Sequence, residues 1–154
     1  MKFDLQGVLN NFASTRLDPV ARAFSRLHVK VHGTPVGRLF DRYFGAPVFE
    51  MTVRGRKTGE LRTVMLILTM RGDDIVVAGS NAGNEAEPNW FRNLRAAGEA
   101  TVKVAGQAWP VTFRVVEGAE RDECWRLVNA TYPSFSTYQE RSTREIPVAV
   151  LERR

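Results

Sequence analysis

Pro47-Val48-Phe49-Glu50-Met51-Thr52-Val53-Arg54-Gly55-Arg56-Lys57-Thr58-Gly59-Glu60-Leu61-Arg62-Thr63-Val64-Met65 sets a basic, glycine-bracketed turn between two β-rich runs. Glycine at each end of the turn permits positive φ and lets backbone N–H groups converge. Arg54, Arg56, Arg62 and Lys57 stand against the single Glu60. The turn reads as a cradle for phosphate or carboxylate. Lys-Thr-Gly-Glu is also ordinary hairpin chemistry with glycine in the left-handed region. Taken alone, the segment needs no more than the hairpin.

Outward from this turn the chain continues as strand. Pro47 to Val53, Leu61 to Met70, Ile75 to Ser80, Ala100 to Val104, Ala108 to Val116 and Val148 to Leu151 are short β-rich runs. Gly72-Asp73-Asp74 and Ala105-Gly106-Gln107 read as tight turns between them. Two helices interrupt the strands. One is opened by Pro88, carries Trp90, Phe91 and Leu94 as an apolar stripe and ends at Gly98. The other spans Glu120 to Thr131. Antiparallel strands with inserted helices, without βα alternation, predict an α+β fold built on a small barrel. No G-x-G-x-x-G follows a strand and no Walker loop occurs, which removes the common dinucleotide and P-loop sites.

At 154 residues, 44% hydrophobic and 25% charged, the chain has the composition of one folded domain. Cys124 is its only cysteine, so no internal disulfide forms and a reducing cytoplasm is the expected location. No apolar run is long enough to span a bilayer, and residues 1 to 7 lack the core of a signal peptide. Residues 1–45 carry seven Lys or Arg against three Asp, or +4 of the net +5. They form a basic helical segment expected to stand apart from the barrel domain of residues 46–154. Val20, Phe24, Leu27 and Val31 share one helical face; Arg22, Arg26 and Lys30 share another. Such a helix suits an anionic membrane surface as a peripheral contact, or simple packing on its own domain. Nucleic acid is not expected, because no strand interleaves aromatic and basic residues. His28 and His32 have the spacing of a metal pair, but no third ligand completes a site and no metal is expected. Cys124 beside Trp125 reads as a buried structural thiol.

Three segments taken together say more than the turn alone. The first runs from Gly55 to Arg71. The second joins Val77-Ala78-Gly79-Ser80-Asn81-Ala82-Gly83 to Pro88-Asn89-Trp90-Phe91-Arg92-Asn93-Leu94. The third is Thr131-Tyr132-Pro133-Ser134-Phe135-Ser136-Thr137-Tyr138-Gln139 followed by Thr143-Arg144-Glu145-Ile146-Pro147-Val148. In this order they resemble the deazaflavin-dependent nitroreductase and quinone reductase family, split β-barrel oxidoreductases that use coenzyme F420. The resemblance covers about residue 47 to the end.

The resemblance implies that this is a reductase transferring hydride from reduced deazaflavin to a quinone-like, nitroaromatic or other apolar electrophile. The cofactor would be held by Arg56, Lys57, Thr58, Arg62, Thr63, Val64 and Met65, with Arg56, Lys57 and Arg62 the complement to its phosphodiester and γ-linked glutamate tail. Arginine is suited to bidentate anion contacts and lysine to a point charge. The small residues Ala78 and Gly79 would let the ring approach, Ser80 and Asn81 would bond its polar edge, and Trp90, Phe91 and Asn93 would line the groove. Tyr132, Tyr138, Phe135 and Ser80 are implied as the acceptor pocket. Phe135 stands where relatives often have tyrosine, which favours apolar acceptors such as quinones beside Met65 and Ile67. Leu61 and Met65 replace prolines common in the family, and Asn81 replaces a lysine. These changes leave open an FMN-binding relative of the same fold, and a non-catalytic carrier of such a cofactor.

Overall fold

A computed structural model describes residues 45–154 together with Thr34. The basic helix read in the first 45 residues, with His28 and His32, lies outside the described residues. Seven strands form a single antiparallel sheet: β1 (Val48–Arg54), β2 (Leu61–Ile67), β3 (Thr69–Arg71), β4 (Asp74–Ala78), β5 (Glu99–Val104), β6 (Gln107–Val115) and β7 (Val148–Arg153). Three α-helices are described: α1 (Asn89–Ala97), α2 (Gly118–Thr131) and α3 (Ser134–Arg141), with a 3-10 turn at Asn81–Gly83.

The strand order is β2-β1-β5-β6-β7-β4-β3. The two edge strands are therefore consecutive in the chain, joined by Leu68 alone. A sheet whose outer edges are one residue apart must curl upon itself, and the result is the expected split barrel. Leu68 donates its N–H to the Pro47 carbonyl at 2.7 Å, so the chain leaves β1 there and crosses to the opposite edge. The continuous strand expected over Leu61 to Met70 is thereby divided in two.

The turn between β1 and β2 is a hairpin. Gly55 donates to the Glu60 carbonyl at 2.7 Å and Gly59 to the Gly55 carbonyl at 2.8 Å, with Gly59 at φ 72°. Ala105 (φ 48°) and Gly106 (φ 81°) close the β5–β6 turn with two positive φ values, the pattern whose twist matches the flanking strands. Along β1, Phe49, Met51 and Val53 are buried while Arg54 is exposed. β4 and β7 are apolar on both faces. Ile75, Val77, Ala149 and Leu151 join the barrel interior with Phe91 and Leu94 of α1, whereas Val76, Ala78, Val148 and Val150 pack under Cys124, Val128, Phe135 and Tyr138 of α2 and α3. A strand covered on both sides reads as an unbroken apolar run, as Ile75-Val76-Val77-Ala78 does.

α1 ends as its sequence predicts: Gly98 at φ 71° donates to the Leu94 carbonyl at 2.8 Å. α3 was not expected. Its eight residues hold serine, threonine and aromatics of modest helix propensity, and its stability comes from burying Phe135 and Tyr138 on one face.

Across the outside of the sheet, Arg71 on β3 donates to Glu120 at 2.7 Å and to Glu123 at 3.1 Å. Arg114 on β6 bonds the same Glu120 at 2.7 Å and Glu152 at 2.9 Å. Hydrogen bonds from Arg114 first, then Arg71, hold the Glu120 carboxyl down to about 2 from 4.5. A depressed carboxyl contributes stability that is complete above its unfolded pKa and is lost as pH falls through its folded one. Glu120→Gln is therefore expected to melt below the wild type at neutral pH, with the gap closing between pH 4.5 and about 2. A gap that persists unchanged in thermal melts at the acid end would contradict this.

Candidate functional site

The anion-cradle turn is docked against α1. The buried Asn93 side chain accepts from the Arg56 backbone N–H at 3.2 Å and from its guanidinium at 2.8 Å. Asn89 accepts a further guanidinium bond at 3.3 Å. The turn is internally tied as well: Arg54 donates to the Gly59 carbonyl at 2.6 Å, and Arg62 pairs with Glu60 at 2.6 Å. Thr58 Oγ1 accepts from the Glu60 N–H at 3.3 Å. Thr63 and Thr52 hydroxyls meet at 2.8 Å across the exposed face of the hairpin. Lys57 is exposed and has no ion partner among the described residues.

Beside this turn lies a cavity of about 290 Å3 at the slit of the barrel. Val64, Met65, Leu66 and Ile67 of β2 form one wall, and Val76, Val77 and Ala78 of β4 form another. The chain from Ala86 to Trp90, with Arg92, closes the side toward the turn; Val128 of α2 and Phe135 of α3 close the other. Asn89 belongs to this lining and also holds Arg56, so the cationic turn adjoins the cavity mouth. The volume falls just below the range of roughly 300–1,000 Å3 typical for ligand sites. It suits a ring system rather than a long polar chain.

Ser80 and Asn81 add polar groups to the wall beside Thr69, Glu87, Asn89 and Arg92, and the backbone that follows Ser80 is strained. Asn81 (φ 48°), Ala82 (φ 55°) and Gly83 (φ 84°) follow one another in the left-handed region. Left-handed backbone costs a residue such as Ala82 about 1–2 kcal/mol. The opposing hold comes from Arg144, whose guanidinium donates to the carbonyls of Gly79 (2.9 Å), Ser80 (3.0 Å) and Asn84 (3.0 Å). Charge-assisted bonds are worth about 1.5–3 kcal/mol each, so the clamp outweighs the strain. Glu85 returns the link by accepting from the Thr143 N–H (2.7 Å) and hydroxyl (2.9 Å), contacts that lower its carboxyl pKa. Burial pulls the Arg144 guanidinium below its ordinary value, yet it remains a cation at neutral pH. An added Cβ at Gly83 would lie 2.8 Å from the Tyr138 carbonyl, so α3 braces the turn from its other side.

Several residues expected at the site are elsewhere. Phe91 is fully buried in the barrel interior, edge-on to Phe113, while its neighbour Trp90 faces the cavity. Gly79 does not border the cavity: an added Cβ would meet the Phe91 ring at 2.9 Å and Pro147 at 3.1 Å, so its smallness serves packing rather than approach of a ring. Asn93 holds Arg56 instead of lining the groove. Tyr132 and Tyr138 are buried behind Phe135, their hydroxyls 3.3 Å apart, and only Phe135 of the three reaches the cavity. Phe135 packs edge-on against both tyrosines. Thr69, Arg92 and Arg144 lie within the quoted segments but, like Val128, carry no role legible from sequence, because each gains its place through contacts distant in the chain. Cys124 is buried, with burial raising its thiol pKa, which agrees with a structural role. No group of metal-ligating side chains occurs among the described residues. No described helix is long and apolar enough to cross a membrane.

Residues 21–153 match the family described as F420H(2)-dependent quinone reductase. An F420H(2)-dependent quinone reductase of Mycobacterium tuberculosis is 32% identical over 133 residues, which span 84% of this chain and 89% of that one. Among solved structures, an F420-H2 dependent reductase superposes with a TM-score of 0.65 at 31% identity, over 69% of this chain and 94% of its own. Another, described as a domain-swapped dimer, gives a TM-score of 0.67 at 29% identity, over 82% and 93%.

Substituting the clamp tests its hold on the cavity wall. Arg144→Gln is expected to lower the melting temperature and to speed hydrogen exchange at Ser80 to Gly83, with Ala82→Gly recovering part of the loss because glycine accepts positive φ freely. Exchange at these amides equal to the wild type would show that the turn holds itself.

Proposed function

The chain belongs to the F420H(2)-dependent quinone reductase family, and from that premise we propose that its cationic turn and barrel cavity together form the coenzyme F420 and acceptor site. The observation that carries this reading is the adjacency of two unlike surfaces. An exposed turn bearing Arg56, Lys57 and Arg62 lies against a cavity whose β2 and β4 walls are apolar, and Asn89 belongs to both. A cofactor with a polyanionic tail and a flat ring needs that pairing.

Arg56, Lys57 and Arg62 would hold the phosphodiester and the γ-glutamyl carboxylates. Arg56 is already oriented by Asn93 and Asn89, so little side-chain freedom is lost on binding. Thr58 adds a hydroxyl around the same anions, and the Lys57 and Thr58 N–H groups are the turn's remaining donors, since those of Gly55, Arg56 and Gly59 bond within the protein. Arg92, exposed at the cavity rim, contributes a further positive charge close to where the family lysine is replaced by Asn81. Val64, Met65, Ala78 and Trp90 give the ring apolar faces, and Ser80 and Asn81 give its edge hydrogen-bonding partners.

When bound, the reduced deazaflavin supplies the hydride. The chain's own part is to align an acceptor and keep water away. Val128, Phe135 and Ile67 shape an apolar recess suited to a flat quinone. Since Tyr132 and Tyr138 stand behind Phe135, Ser80 is the one hydroxyl of the four acceptor-pocket residues expected from sequence that lines the cavity. Membership of a reductase family using F420 favours this reading over an FMN enzyme or a passive carrier.

Titration of the purified protein with F420 is expected to quench tryptophan fluorescence through Trp90. Replacing Arg56 and Lys57 together by alanine should weaken that binding by about tenfold or more, as removal of charge-assisted contacts predicts. Unchanged affinity in the double variant, or no fluorescence response in the wild type, would refute the assignment.

A further inference from the structure

Thr69 opens β3 and is 3% exposed. It borders the cavity, paired across the sheet with Val76, which borders it too. Its hydroxyl oxygen is buried and has no hydrogen-bond partner among the described residues. Buried hydroxyls are almost always bonded, and leaving one unpaired is unfavourable. The surrounding cavity residues at this end, Ile67, Val76, Val128 and Phe135, offer no polar side chain. The recess wall at this end is therefore apolar, with one unspent donor buried within it.

We propose that the Thr69 hydroxyl is the specificity-determining group of the acceptor recess, donating a hydrogen bond to a carbonyl oxygen of a flat quinone seated against Phe135. This rests on the reductase reading above and deepens it. The cationic turn and Asn89 lie at the opposite end, where the cofactor's anionic tail is expected, so the isolated hydroxyl is left to the partner molecule. A neutral carbonyl suits the setting. Threonine presents one donor, no arginine or lysine accompanies it here, and a planar apolar body fills the space between aliphatic walls. Thr69 is not assigned any proton transfer; it recognises and orients.

The test is a pair of near-isosteric changes read by calorimetry with two probes, 1,4-naphthoquinone and naphthalene, in the absence of cofactor. Thr69→Val removes the donor and keeps the shape; Thr69→Ser keeps the donor. Thr69→Val is expected to melt at or above the wild-type temperature, since an unpaired buried hydroxyl is gone. It should bind naphthoquinone about tenfold more weakly while its naphthalene affinity stays unchanged, and Thr69→Ser should retain the quinone preference. Equal naphthoquinone affinity in Thr69→Val and wild type would overturn the proposal, and so would equal losses for both probes, which would mean shape alone. A separate F420 titration of Thr69→Val should match the wild type; weakening there would assign the hydroxyl to the cofactor and overturn the acceptor role. Absence of F420 binding in the wild type would instead count against the reductase reading, which the cofactor-free probe measurements do not use.

Discussion

A single buried amide, that of Asn93, joins the two halves of the site. By accepting both the backbone N–H and the guanidinium of Arg56, it fastens an exposed cationic hairpin turn to the helix that walls the cavity. Without such a link the turn would be one more solvated bend whose charges are screened and mobile. With it, positive charge is fixed beside an apolar recess, an arrangement that matches the proposed ligand, ionic at one end and flat at the other.

The curled sheet is what makes that recess. Because β2 and β3 are opposite edges separated only by Leu68, the barrel cannot close by pairing them, and the slit that remains is walled by β2 and β4 and capped by α1, α2 and α3. The wall residues come from both hydrophobic clusters, with Val77 from the barrel interior and Val76, Ala78, Val128 and Phe135 from the helix-covered side. These walls are paired with a strained stretch, Asn81 to Gly83, whose left-handed backbone is held from without by Arg144 and α3. Strain concentrated at a cavity wall and fixed by distant contacts is the usual economy of a binding site.

Local signals carried much of this in the sequence. Glycine at 59 and 98, the Ala105-Gly106 turn and the alternation in β1 are decided within a few residues, and the hairpins and α1 stand where those signals put them. The motif order also led to the family and to the cavity-lining Val64, Met65, Ser80, Asn81, Trp90 and Phe135. Orientation was less legible. Trp90 and Phe91 are adjacent on a helix and so point to different faces, and sequence does not say which of them meets a ligand. Likewise Tyr132, Phe135 and Tyr138 form one aromatic cluster in which only the middle ring reaches the cavity. Arg144 and Thr69 lie within the quoted segments, but their roles are not legible there because their surroundings depend on segments distant in the chain.

The most direct measurement is a crystal structure of the protein with F420 bound. The account places the deazaflavin ring between β2 and Trp90 and the phosphodiester and carboxylates within bonding distance of Arg56, Lys57 and Arg62. A ring found outside the barrel slit, or a tail running away from the turn with those side chains left in solvent, would contradict it.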